Sequence, residues 1–555
     1  MVSLDCSDHT ILFYAMRVTR PNLSTNPKIW RSIMKALSKN LFKLLVVGLF
    51  CAALMVGGEV LALERGGTLS LSISSSVKTL DPHKVVGDES YHATFHIFST
   101  LTRIGSDLTA KPELAESWEH ADNATTWTFH LNKKAKFHNG RPVTADDVKF
   151  SLDRVLDPKQ SPRGFSKIGP IKEVIVKDKH TVVIKLKKPY LDLPVDLGSV
   201  FPRIIAKENL NDINTKPIGS GPFKLKKWQM GGVTTLVKNE NYFLMGEDGK
   251  PLPYVDEFRI VPIKENSSQL AAIQSGSVDI MYRMSYDLIP TAKKTKNVVV
   301  IGGPTLGYQP LVLNLDPVIG KGEDAEKQRI FRNSKVRQAF SYIINRKAML
   351  NIALGGLGTI GNDQPIPAFH AYANKNIKPK KQDITLAKKL LAEAGVKPGT
   401  HFKLYTSAGR AGMSEMAVAF QQMGKKAGIV IDVEMIDISR YWTDYEFKAP
   451  FITSNWGGRA TINASLKPYY YTGGSSNEAH YSNPALDKIL DEAESESDFE
   501  KRKALYGQVQ RIVSDSAVNI IPYYKNFYSA ATTKVQGLEV HPITYLYVDH
   551  VWKKK

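Results

Sequence analysis

Cysteine is nearly absent from this chain of 555 residues: only Cys6 and Cys51 occur. That excludes a paired CxxC zinc site, iron–sulfur ligation and a disulfide framework. If the leading segment is removed, it excludes thiol catalysis too. There is also no GxSxG elbow, no SxxK set with its partner elements, no GxxxxGK[ST] loop and no HExxH. These absences weigh against hydrolase, nucleotide-hydrolysing and zinc-protease chemistry, so no catalytic residue, metal site or cofactor is assigned, and the chain reads as a protein that is not an enzyme. Beyond residue 64 there is no second long apolar run, no low-complexity linker and no solenoid-type repeat.

What is present is globular. Hydrophobic residues make up 43%, aromatics 9% and charged residues 23%, enough for buried cores in two to four domains at roughly 100 to 200 residues each. Charge is the outlier, with 74 Lys and Arg against 54 Asp and Glu, a net of +20. Residues 65–555 keep 67 basic and 50 acidic side chains, or +17. The basic clusters, at 133–136, 187–188, 226–227, 293–296, 378–381, 425–426 and 553–555, are short and scattered. Nucleic-acid binding would gather them on one face or interleave them with stacking aromatics, so no nucleic-acid partner is expected.

The N-terminus carries an export pattern. Lys35, Lys39 and Lys43 precede an apolar run of 13 residues, Leu44 to Val56. That is too short for a bilayer span of about 20 residues and within the signal range of about 7 to 15. Residues 34–62 read as a cleavable signal peptide and 1–33 as an upstream extension. Phe50 before Cys51 is too bulky for lipoprotein processing. The expected location is the periplasm.

Downstream, alternation predicts strands at Thr68–Ser74 and Thr126–Leu131, and hairpins at Glu173–Leu186 and Phe223–Val237. Thr144-Ala-Asp-Asp147 reads as a capping box. Helices are predicted at 334–350, 385–394 closed by Gly395, 414–427 leading to a strand at 429–435, 484–494 and 499–514. The class is mixed α/β with at least two lobes. A literal GxGxxG, Gly356 to Gly361, follows a helix where a dinucleotide site needs a strand, and reads as a helix-terminating loop. His92 and His96 are spaced i,i+4 but lack a third ligand nearby.

One stretch has the composition of a ligand wall: Phe451-Ile-Thr-Ser-Asn455-Trp456-Gly457-Gly458-Arg459. Glycine admits close approach to backbone groups, Trp456 offers a flat apolar face, and Arg459 offers a forked donor for a carboxylate or phosphate.

Lys111-Pro-Glu-Leu-Ala-Glu-Ser-Trp118, continuing through TTWTFHLNKKAKFHNGRPVTADDVKFSLDRV, resembles the signature of the bacterial extracellular solute-binding proteins of the peptide, nickel and opine class, family 5. Leu80-Asp81-Pro82, Pro217 to Leu225, Ala272 to Ile280, Val336-Arg337-Gln338-Ala339 and Ala387 to Gly395 agree in order. The resemblance implies an α/β, two-lobed, periplasmic-binding-protein-like clamshell of type II, cluster C, with an extra domain at about 100–215 in the first lobe. It implies a first lobe of 63–305 with a return at 526–555, and a second lobe of 306–525. It further implies a monomer that captures a small-molecule or peptide solute and passes it to ABC transporter permease subunits at the inner membrane. Closure requires the ligand to touch both lobes. A secreted hydrolase and a peptide-binding chaperone using the same groove are the alternatives.

Dipeptide binders of the family place an Asp where Arg459 stands here, and an Arg where Ser407 stands, with Arg410 as a substitute. That reversal disfavours a free ammonium at Arg459 and favours an anionic, amino-acid-derived solute: opine-like, a modified peptide or glutathione. A nickel chelate fits less well, since no histidine lies in 451–459. Val77, Lys78 and Tyr405 complete the expected contacts.

Overall fold

The strand Thr68–Ile73 sets the frame for the first half of the chain. Its alternating Leu69, Leu71 and Ile73 are buried as expected, but Ser70 and Ser72 are buried too. A central strand covered on both faces must satisfy its polar side chains internally. Ser70 Oγ donates to Asp279 at 2.7 Å and Ser72 Oγ to the Ile280 carbonyl at 3.2 Å. In this computed structural model the structure describes residues 63–121, 123–319 and 329–555. The expected extension, the signal peptide and both cysteines lie outside the described residues.

Thr68–Ile73 belongs to a mixed sheet of 11 strands. From one edge the order is Val430–Met435, His401–Thr406, Phe451–Thr453, Val298–Leu313, Asn519–Thr532, Ile280–Met281, Thr68–Ile73, Glu257–Pro262, Thr234–Lys238 and Phe223–Lys227, with Gly358–Ile360 paired laterally to Asn519–Thr532. Two long strands carry the sheet across its middle. Val298–Leu313, 16 residues, runs antiparallel to Asn519–Thr532, 14 residues. Their ladder is interrupted between Pro304 and Tyr308 and again between Gln309 and Leu311. A separate antiparallel sheet of four strands joins Ala115–His120, Thr126–Leu131, Thr181–Leu186 and Ile171–Asp178.

Apolar packing collects on both sides of the ladder break. Leu69, Leu71, Phe98, Phe223, Phe258 and Ile260 pack with the late residues Val548 and Val551. Leu311, Phe331, Phe340, Leu404, Phe420 and Phe451 pack together elsewhere. Each such side chain, when fully buried, contributes about 1.5 to 3 kcal/mol.

Both hairpins, the capping box and the helices Ile384–Glu393, Met413–Lys426, Pro484–Ser495 and Phe499–Ser516 form within a few residues of the expected bounds. The single helix expected at 334–350 does not form. It divides into Ser334–Ile343 and Arg346–Leu354, because the extended Ile344 interrupts it and the Asn345 side chain caps the second helix by accepting from Ala348 N at 3.0 Å. Gly355, at φ 59°, ends that second helix. The rest of the GxGxxG segment goes beyond a helix-terminating loop, since Gly358–Ile360 pairs as a strand with Tyr523–Lys525.

Candidate functional site

The wall at 455–459 is hung from the central strands. Phe451–Thr453 pairs antiparallel with Leu311–Leu313, and the pairing resumes where Tyr308 and Trp456 exchange backbone bonds at 3.1 and 3.0 Å. A Cβ on Gly458 would come within 2.6 Å of Leu306 Cβ, so glycine permits this close approach. Gly457 is exposed and Trp456 half-buried. The indole meets Tyr469 edge-on at 4.6 Å and donates to Glu478 at 3.0 Å.

Arg459 follows, half-buried. Its Nη1 donates to the carbonyls of Gly458 at 3.3 Å and Gly457 at 3.4 Å, and its guanidinium also meets the Tyr469 hydroxyl. Among the described residues no carboxylate pairs with it. Lys167 lies close enough that burial, then the charge of Arg459, lowers its pKa. The charge of Asp196 acts the other way on Lys167, but less than Arg459 does. Desolvation, reinforced by Asp192, raises the Asp196 carboxyl to about 8 while it accepts from Tyr190 at 2.6 Å.

Asn455 turns the other way. Its Oδ1 accepts from Gln309 Nε2 at 3.2 Å and from Lys525 Nζ at 2.6 Å. Gln309 also donates to the Ala411 carbonyl at 2.8 Å, which ties the Arg410 loop to the same wall. Arg410 is exposed and bonds the Gly409 carbonyl at 3.3 Å. Ser407 is buried, its hydroxyl accepting from Gly409 N at 3.3 Å. Tyr405 is buried on the neighbouring strand, 5.1 Å from the Tyr445 ring.

Val77 and Lys78 belong to the first half of the chain. Val77 is buried in the first-half core and its carbonyl accepts from Trp228 at 3.1 Å. Lys78 is exposed, 3.5 Å from Glu89. No hydrogen bond or ion pair joins either residue to the 455–459 wall. His92 and His96 are buried structural residues: His92 packs edge-on against Tyr282 at 4.2 Å, and His96 accepts from Val548 N at 3.1 Å. Among the described residues no group of three or more His, Cys, Asp or Glu is placed to hold a metal ion. An open cavity of about 700 Å³, lined by Thr68, Lys226, Glu257, Arg259 and Asp279 among others, contains none of the expected site residues.

Sequence reasoning missed four groups here. Lys167 and Lys525 are single lysines that no pattern marks, although Lys525 is the one charged residue in the strand Asn519–Thr532. Arg283 approaches Lys525 closely enough to lower its pKa. Glu478 stands behind Trp456, 2% exposed, and accepts from Ser454 at 2.7 Å as well as from the indole. Burial, then the adjoining Glu446 carboxyl, raises it to about 8.

Comparison with known proteins places these features in context. The family model for bacterial extracellular solute-binding proteins, family 5 Middle, matches residues 109–478. The glutathione-binding protein GsiB of Salmonella choleraesuis (strain SC-B67) is 25% identical over 489 residues, covering 85% of this chain and 92% of its own. The ABC transporter-associated periplasmic binding protein DppA from Helicobacter pylori, solved with the peptide STSA, is 25% identical with a TM-score of 0.72, over 89% of this chain and 99% of its own. The PBP AgaA from A. tumefacien R10, solved with agropinic acid, is 25% identical with a TM-score of 0.71, over 88% and 99%.

Proposed function

The chain belongs to the bacterial extracellular solute-binding proteins, family 5, and from that premise we propose that it is the exported component of an ABC importer. It captures an anionic, amino-acid-derived solute between two lobes in the periplasm and hands it unaltered to the permease. The observation that carries the choice of solute is Arg459, a half-buried guanidinium that meets Tyr469, the ring packed on Trp456, and has no carboxylate partner among the described residues. A cation left unneutralised in a crowded position is costly unless an anion completes it. Relatives bind glutathione, a peptide and agropinic acid, and each of those molecules has a carboxylate to offer.

The lobes are proposed as 63–305 with 526–555 and as 306–525, the extra domain being about 100–215. Supporting this, Leu69 to Tyr282 share one core with Ala531 to Val551, whereas Leu311 to Tyr523 share another. The two long strands link them, and their broken ladder gives the link a place to bend.

Ligand-dependent stability tests the reading. The bound solute at 100 times its dissociation constant should stabilise the fold by about 2.7 kcal/mol and be recovered chemically unchanged. Turnover of the solute would favour the hydrolase. Equal stabilisation by unfolded chains of any sequence would favour the chaperone.

A further inference from the structure

Lys525 occupies an unusual place. Its backbone lies opposite the interruption in the long ladder, where Thr305 Oγ1 donates to its carbonyl at 2.7 Å. Its stem passes over Gly307, where an added Cβ would come within 3.1 Å of Lys525 Cε. The ammonium bonds Asn455 Oδ1 at 2.6 Å and, among the described residues, no carboxylate. An ammonium can donate three hydrogen bonds, so two donors are left over.

The charged neighbours come from both halves of the chain. Arg283 follows the strand Ile280–Met281, stacks on Phe527 at 5.6 Å and pairs with Asp88 at 2.9 Å. Arg410 lies in the loop before Met413–Lys426 and has no acidic partner among the described residues. Tyr286, Tyr523 and Tyr528 nearby are phenols, and the one carboxylate on the Arg410 side, Glu415, turns back to accept from Gly412 N at 3.1 Å and Ser414 Oγ at 2.9 Å. Asp88 pairs with Arg283 and Glu415 is taken up by its helix start, and the charges that act on Lys525 itself are those of Arg283 and Arg410. Desolvation, then Arg283 and Arg410, lowers Lys525 to about 7.

We propose that Lys525, between Asn455, Arg283 and Arg410, is a second anion-binding position, distinct from Arg459, that takes a carboxylate or phosphate of the solute. This rests on the solute-capture reading and narrows it to molecules with two acidic groups. An anion held there touches Arg283 from the first half and Arg410 from the second, which is the differential contact that favours a closed form.

Two amine-reactive aldehydes test it on the full chain dialysed free of solute: pyridoxal 5′-phosphate and its neutral counterpart pyridoxal. The unprotonated amine condenses with the aldehyde, losing water, and borohydride reduces the imine to a stable amine for peptide mapping. At pH 7 Lys525 should react at least about tenfold faster than typical surface lysines, because those are almost wholly protonated. It should prefer the phosphorylated aldehyde several-fold, and Arg283→Gln and Arg410→Gln should each erode that preference. Equal labelling by the two aldehydes overturns the anion site. A co-purifying solute with only one acidic group overturns the two-anion assignment while leaving the importer reading intact. Wild-type protein that binds no solute overturns that reading, whatever Lys525 does.

Discussion

Glu478 shows how one side chain can set the pH behaviour of a binding wall. It is buried, holds the Trp456 indole and Ser454, and adjoins Glu446. Two carboxyls in contact cannot both ionise cheaply, and burial disfavours the charge further. The pKa in the folded chain is therefore raised, to about 8, against about 4.3 unfolded. The folded state keeps a proton that the unfolded state has lost, so this group's contribution to stability falls as pH rises from about 4.3 towards 8. Glu478→Gln should flatten that fall and leave the variant more stable than wild type by about 1 to 3 kcal/mol at pH 8, measured by denaturant unfolding across the range. Identical pH profiles would show that the pair does not titrate there. Arg459, Trp456 and Asn455 were legible as a wall because glycine, an aromatic ring and a guanidinium stood together in the sequence. Glu478, Lys167 and Lys525 were not, because each acquires its meaning only from residues that the fold brings from far along the chain.

At the scale of elements, the family motifs turn out to be structural joints. Asp81, in Leu80-Asp81-Pro82, accepts from Arg154 Nη1 at 2.9 Å and Nη2 at 2.6 Å, fixing the loop to the helix Ala145–Leu156. Burial would raise the Asp81 carboxyl, but the bonds and charge of Arg154 prevail and hold it below its ordinary value. Glu113, from the long signature stretch, accepts from Thr100 N at 2.8 Å and its hydroxyl at 2.6 Å. Arg337 donates to the carbonyls of Phe331, Arg332 and Ser516. Such residues made the fold readable and said little about the solute. Asp81→Asn should cost about 3 to 5 kcal/mol by leaving Arg154 buried and uncompensated, seen as a lower unfolding midpoint. A loss within about 0.5 kcal/mol would mean that the pair adds nothing. The break at Ile344–Asn345 escaped the helical pattern because Val336, Ala339, Phe340 and Ile343 keep the helical spacing up to the break and Met349 and Leu350 resume it beyond. Asn345 reads as a polar position within a helix until its side chain is seen to cap one.

Separate cores lie on the two sides of a pair of long strands whose ladder is broken. Basic groups with no carboxylate partner among the described residues, Arg459 at one end of the wall and Lys525 with Arg410 at the other, come from different parts of the chain. Residues 65–555 carry +17, a field that would speed the arrival of the proposed anionic solute without choosing it. Binding energy at such a site comes from matching buried charge, so losing one cation should cost far more than losing a solvated one.

Native mass spectrometry of the protein purified without denaturation, wild type beside Arg459→Ala, tests this most directly. The account predicts one intact small acid per wild-type chain, and a variant weakened for that acid by about 2 to 5 kcal/mol, so that it is largely empty after the same purification. A wild-type chain carrying a neutral or cationic solute, or Arg459→Ala retaining the acid undiminished, would contradict it.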